Sequence, residues 1–227
     1  MAKTKAEKSE TMPASETPKP NGNGAGPQTR PEAGTRAKII RRVKLSGLLP
    51  IMFDRYPGDN DTKLEPWQKL NFMPGSRLIA LPVVSIMSFL SAQNTDSAPK
   101  KLLDPRKYKR FCQACSSFVQ IENIGTTHLP FLRDGKPIEL GKLVGESDPL
   151  SGVYIDHDVA RLKDGIPNPK VRPVLPLDWA LEFTLTLFPN QDLQEQQLLN
   201  VFSQGGIAVG LGTNRPRYGK FEVVFWE

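Results

Sequence analysis

The sequence predicts an α+β fold: one antiparallel sheet carrying two helices on a single face, with a lobe of β-hairpins inserted at about residues 119–177. Three observations predict it. The stretch "DWALEFTLTLF" places Trp179, Leu181, Phe183, Leu185 and Leu187 on one face and Glu182, Thr184 and Thr186 on the other, the period of a strand with one buried side. "ALPVVSIMSFLSA" and "NQDLQEQQLLNVFSQGG" space their apolar residues as helices do. In chain order the pattern reads strand, helix, irregular strands, strand, helix, strand.

From Met1 to Arg36 the chain is Pro, Gly, Ser, Thr, Lys and Glu with almost nothing to bury, so it cannot offset the entropy of ordering its backbone and is expected to be a disordered tail. Residues 37–227 form one domain on this reading. "AKIIRRVKLSGLLPIMF" opens it as a β-branched, alternating strand. "DRYPGDNDTKLEPWQKL" is rich in turn formers and reads as a long loop. In "RLIALPVVSIMSFLSA" an extended entry reaches Leu81, Pro82 suits a first helical turn, and Val83, Ile86, Met87 and Leu90 make an apolar stripe. "LDPRKYKRFCQACSSF" is a basic helix with Asp104 as N-cap and Pro105 at its first position.

The lobe follows: "FVQIENI", then "FLRDGKPIEL" with an Asp134-Gly135 hairpin turn, then "GVYIDHDVARLKDGIPNPKVRPVLP" with a second Asp-Gly. After the alternating strand, Asn190 is placed to cap a helix striped by Leu193, Leu198, Val201 and Phe202, and Gly205 to stop it. "KFEVVFW" is the last strand. This order is that of the split β-α-β ferredoxin-like unit, whose free sheet face is where RNA-recognition modules bind bases, so the fold class is ferredoxin-like and RRM-like.

A net charge of +6 over 227 residues and a pI of about 9.3 favour an anionic partner, with nucleic acid ahead of a membrane surface. Cys112 and Cys115 alone exclude a disulfide scaffold and fit a cytoplasmic protein. No run approaches the roughly 18 apolar residues of a membrane span, and the lysine-bearing N-terminus lacks a signal peptide's apolar stretch.

Binding chemistry concentrates in three places. In "GLGTNRPRYGK", backbone amides exposed by Gly210, Gly212 and Gly219 can receive phosphate oxygens, with charge from Arg215, Arg217 and Lys220 and a stacking face from Tyr218. Arg42 and Lys44 share one face of the first strand, Arg41 lying opposite. In the basic helix, Arg106, Lys109 and Arg110 form a stripe suited to phosphates. Cys112, Cys115, His128 and His157 have the composition of a zinc site, yet one turn between the cysteines is equally the spacing of a buried helix face, and neighbours alternate along "YIDHDV". No metal or cofactor is predicted.

Three stretches resemble the repeat-associated mysterious protein (RAMP) superfamily, the ferredoxin-like proteins of CRISPR RNA processing and effector complexes. "GGIAVGLGTNRPRYGKFEVVFW" is similar to that family's glycine-rich loop and last strand, "ALPVVSIMSFLSA" stands where its first helix does, and "WALEFTLTLF" precedes its second. The backbone branch fits best, the hairpin lobe resembling the thumb by which such subunits bend guide RNA. The resemblance implies guide RNA, target nucleic acid, further copies of the chain and other effector subunits as partners, without a membrane. A guide-handle-binding branch is the next reading. The RNA-processing branch uses a histidine near the start of the fold, whereas this chain has only His128 and His157, both central. Some backbone subunits use a loop aspartate with a divalent metal to cleave target RNA, which brings in Asp54, Asp59 and Asp61, residues that any turn also favours. Outside the family, a phage-type assembly protein with basic loops is the alternative.

Overall fold

A computed structural model describes residues 37–59, 61–93, 96–122, 125–161, 165 and 167–227. The expected tail at residues 1–36 and Asp164 of the second Asp-Gly lie outside them. The chain runs β1 (Ile39–Gly47), β2 (Ile51–Met52), a 3-10 turn (Pro66–Lys69), β3 (Ala80–Pro82), α1 (Val83–Ser91), α2 (Ala98–Leu102), α3 (Pro105–Phe118) and β4 (Val119–Glu122). Short strands β5 (His128–Pro130), β6 (Leu132–Arg133) and β7 (Lys136–Pro137) precede a long hairpin, β8 (Tyr154–Arg161) and β9 (Pro167–Leu175). Then come β10 (Ala180–Leu187), α4 (Glu195–Ala208) and β11 (Phe221–Trp226).

The main sheet is antiparallel, in the order β11-β1-β10-β4, with the β6–β7 hairpin also joined to β10. Its register follows from the alternation: Val43 faces Phe183 and Leu45 faces Leu181, so both apolar rows fall on the side that the helices cover. The aromatic centre of that side is Phe202, with ring centroids 5.7 Å from Phe89 and 5.6 Å from Trp226. Two smaller sheets, β2-β9-β8 and β3-β5, and a few isolated bridges complete the β structure among the described residues. No helix among the described residues is long and apolar enough to cross a membrane.

Several local expectations shift. The described residues hold four α-helices where the predicted fold class has two: α3 is the basic helix expected from "LDPRKYKRFCQACSSF", and the short α2 before it was not foreseen. "VQIE" was expected to begin the lobe, but β4 pairs with β10, from Thr184↔Glu122 to Leu187↔Val119, and belongs to the main sheet. Pro82 is the residue before α1 and not its first turn. Asp104 caps α3 as expected, accepting from the Arg106 amide at 2.8 Å.

In α4 both expected ends move. Asn190 accepts from the Asp192 and Leu193 amides in the turn before the helix, while the cap is Gln194, exchanging hydrogen bonds with Gln197. Gly205 and Gly206 lie inside the helix, which continues to Ala208. A Cβ on Gly205 would overlap Ala98 and Phe89, and one on Gly206 would overlap the Phe221 carbonyl. The glycines here permit contact with α2 and β11, which local sequence cannot distinguish from a helix stop. The Asp134-Gly135 turn has both residues at positive φ, 51° and 74°, the tight hairpin its composition requires.

Candidate nucleic-acid interface

The main sheet puts Arg42 and Lys44 on its helix-free face, where their cross-strand partners are Thr184 and Glu182. Lys44 Nζ is bound to Glu182 Oε1 at 2.9 Å. Arg42 stands over the Phe225 ring at 5.6 Å and is ion-paired to no carboxylate among the described residues. Arg41, one residue away, enters the other face: its Nε donates to Glu195 at 2.5 Å, and Trp226 Nε1 donates to the same carboxylate at 2.8 Å. Those bonds, the Arg41 bond foremost, hold the Glu195 carboxyl below the usual glutamate range.

The closing loop uses its glycines differently from the expectation. Gly210, Gly212 and Gly219 all have φ between 74° and 78°. A Cβ on Gly210 would come 2.6 Å from the Gly219 carbonyl oxygen, one on Gly212 2.6 Å from that of Met52, and one on Gly219 would overlap that of Leu211. The Gly210 amide donates to Gly205 O at 3.0 Å and the Gly219 amide to Pro50 O at 2.8 Å. These two amides are therefore spent inside the fold and cannot receive phosphate oxygens, a correction to the sequence reading. The glycines let two backbone segments touch, and the contact fixes where the cations stand.

Those cations diverge. Arg217 is 70% exposed, approaches Asp158 of β8 at a loose 3.7 Å, and lies over Tyr218 at 5.8 Å. Asn214 Nδ2 ties the same loop to Asp158 at 3.2 Å. Burial, then the charges of Asp156 and Tyr154, push the Tyr218 phenol up. Arg215 is half-buried, and that burial draws its guanidinium's pKa down against the opposing pull of Asp96. It lines a cleft of about 400 Å³ between Gly212–Thr213, the Phe53–Tyr56 segment and the start of α1 at Val84, Ser85 and Ser88.

Asp54 borders this cleft but is bound to Arg172 Nε of β9 at 2.7 Å, with Lys69 at 3.9 Å. Its charge is neutralised, so among the residues that line the cleft Arg55 and Arg215 carry the charge, with Asp96 near Arg215 but outside the lining. Asp59 caps its own turn, accepting from the Thr62 amide at 2.5 Å and from the Asp61 amide at 2.9 Å. The sequence reading missed Arg55 and the 63% exposed Tyr56. Their signal was present: "RY" repeats at Arg217-Tyr218, but in "DRYPGDND" it was submerged among turn formers.

Arg106, Lys109 and Arg110 occupy the solvent side of α3, whose opposite side buries Phe111, Cys112, Ala114 and Cys115 in the helical layer. The structure thus does not bring this stripe together with Arg42 and Lys44, which lie across the sheet. Arg110 is bound to Asp192, with Nε at 3.0 Å. Both cysteines are buried free thiols, pushed up by burial, and no group of three or more metal-ligating side chains gathers among the described residues.

No protein-family model matches the sequence. No curated protein matches it. Among solved structures, a chain in "Cryo-EM structure of the Type III-B Cmr-beta bound to cognate target RNA" is similar at a TM-score of 0.47 and 12% identity, over 84% of this chain and 60% of that one. The chain thus spans less than two thirds of the length of that neighbour.

Proposed function

We propose that this chain is an RNA-binding subunit of a CRISPR-type ribonucleoprotein, holding guide RNA by its phosphate backbone within a multi-subunit assembly. The observation that carries the reading is the cleft beside the closing loop. Arg215 and Arg55 line it, Tyr56 offers a ring at its edge, and Asp54, the one acid among its described lining residues, is already engaged by Arg172 and Lys69. A positive cleft with hydroxyls from Ser85, Ser88 and Thr213 suits phosphate oxygens, and exposed aromatics suit unpaired bases. Arg217 and Lys220 extend the charge along the loop, and Arg42 with Phe225 offers a second contact on the open sheet face.

The strand order β11-β1-β10-β4, with every pairing antiparallel and helices on one face, supports a ferredoxin-like unit of RAMP type. Grip on the backbone predicts tolerance of base sequence and strong salt dependence. The test is fluorescence anisotropy with a labelled single-stranded RNA across a salt series. Arg55→Ala, Arg215→Ala, Arg217→Ala and Lys220→Ala are each expected to weaken binding and flatten log K against log salt by about 0.7 for each phosphate no longer neutralised. Unchanged affinity and slope in all four would overturn the cleft as the RNA site. Purified with its native partners, the protein should carry a uniform small RNA; none at moderate salt would favour the assembly-protein alternative.

A further inference from the structure

A second basic surface is separate from this cleft. Between α3 and α4 runs a groove of about 610 Å³, with Arg106 and Lys107 on one wall and a row of amides from Gln191 to Gln204 on the other. Among the described residues, no free acid lines the groove with those cations. From Ala98 to Phe118 the one carboxylate is Asp104, which caps α3. Asp192, at the groove's edge, is bound to Arg110, and Glu195 of α4 is turned away to Arg41 and Trp226. The groove therefore holds uncompensated positive charge beside neutral groups that both donate and accept hydrogen bonds.

The amides differ in what they have left to offer. Gln197 accepts from the Gln194 amide at 2.9 Å and Asn200 from Gln196 Nε2 at 3.1 Å, so each keeps its NH2 group for a ligand. The side chains of Gln191 and Gln204 bond to nothing among the described residues, and each presents an oxygen and an NH2 together. That donor-acceptor pair matches the N6 and N7 edge of adenine, which accepts a bidentate amide. In an unpaired strand this edge is open to a side chain.

We infer that the α3–α4 groove is a second nucleic-acid site, taking single-stranded RNA with its phosphates on Arg106 and Lys107 and its bases toward α4, where Gln191 and Gln204 select adenine. The site rests on the reading of the chain as an RNA-binding protein but not on the cleft, which grips the backbone and tolerates any base. A protein occupant suits the groove less well. Its floor is made by Phe111 and Val201, both buried, and its apolar rim is confined to the half-buried Leu102 and Leu103, while Arg106 and Lys107 offer a partner charge that RNA phosphates match.

The experiment is fluorescence anisotropy on the full chain with labelled oligoadenylate and oligouridylate of about 12 nucleotides, across a salt series. Wild type should bind oligoadenylate about fivefold or more tightly. The pair Gln191→Ala and Gln204→Ala should abolish that preference while leaving the salt slope unchanged. The pair Arg106→Glu and Lys107→Glu should weaken both ligands and lower the slope by about 1.4, two phosphates' worth. The cleft pair Arg55→Ala and Arg215→Ala should lower affinity yet keep the preference for adenine. Retention of that preference also shows that the groove is folded in the cleft variant, so failure of either site reads out separately. Equal affinity of wild type for the two ligands, a preference untouched by the amide substitutions, or charge reversals that bind as wild type would each overturn the inference. So would reversals that leave RNA binding intact but disrupt self-association in sedimentation velocity, which would assign the groove to a second copy of the chain.

Discussion

Alanine at Gly219 tests what the closing loop's glycines are for, and Gly135 supplies its control. Both residues have φ of 74°, so both substitutions force alanine into the left-handed region at a cost of about 1 kcal/mol. Around Gly135 a Cβ meets nothing within 4 Å, and the conformational cost is the whole effect. At Gly219 the new methyl overlaps the Leu211 carbonyl oxygen, and the two segments must separate. That separation strains two hydrogen bonds, Leu211 N to Gly219 O at 2.9 Å and Gly219 N to Pro50 O at 2.8 Å. Leaving buried backbone groups unsatisfied costs about 1–3 kcal/mol each. Gly219→Ala should therefore destabilise by roughly 3–7 kcal/mol and Gly135→Ala by about 1. Urea titration followed by tryptophan fluorescence measures both. Equal losses would refute the close-approach argument.

Glu195→Gln removes the carboxylate that Arg41 and Trp226 share, and at neutral pH it should cost about 1 kcal/mol after allowance for solvent screening. Because the folded-state pKa is depressed, wild type holds this advantage above the usual glutamate value of about 4.3 and loses it as pH falls through the folded value. Stability curves of the two proteins should converge in acid; a gap constant with pH would exclude the ion pair as its source. Asp54→Asn leaves Arg172 and Lys69 without their shared partner and should cost about 1–2 kcal/mol, with faster protease nicking of the β8–β9 hairpin. An unaltered proteolysis rate would show that Asp54 does not brace that hairpin.

Legibility followed the range of the interactions concerned. The inner row of β10 and the Trp179 just before it were readable because alternation is local, and Trp179, Leu181, Phe183, Leu185 and Leu187 are all buried. Asp104 as cap was readable because the bond it makes spans two residues. The ends of α4 were not, since Gly205 and Gly206 answer to Phe89, Ala98 and Phe221, distant in sequence. For the interface, the cations of the closing loop were visible as composition, but Asp54 as the partner of Arg172 was not, because 118 residues separate them.

By itself the sequence determined the class of the fold, the faces of its strands, the tight Asp134-Gly135 turn and the excess of positive charge, all consequences of side-chain period and composition. Only the tertiary structure decided which of those charges remain available. It spent Arg41, Lys44 and Arg110 on carboxylates, used the Gly210 and Gly219 amides within the backbone, and left Arg215 half-buried at a cleft. The physical reason is that neutralisation and close approach depend on distance in space, which a periodic pattern along the chain does not encode.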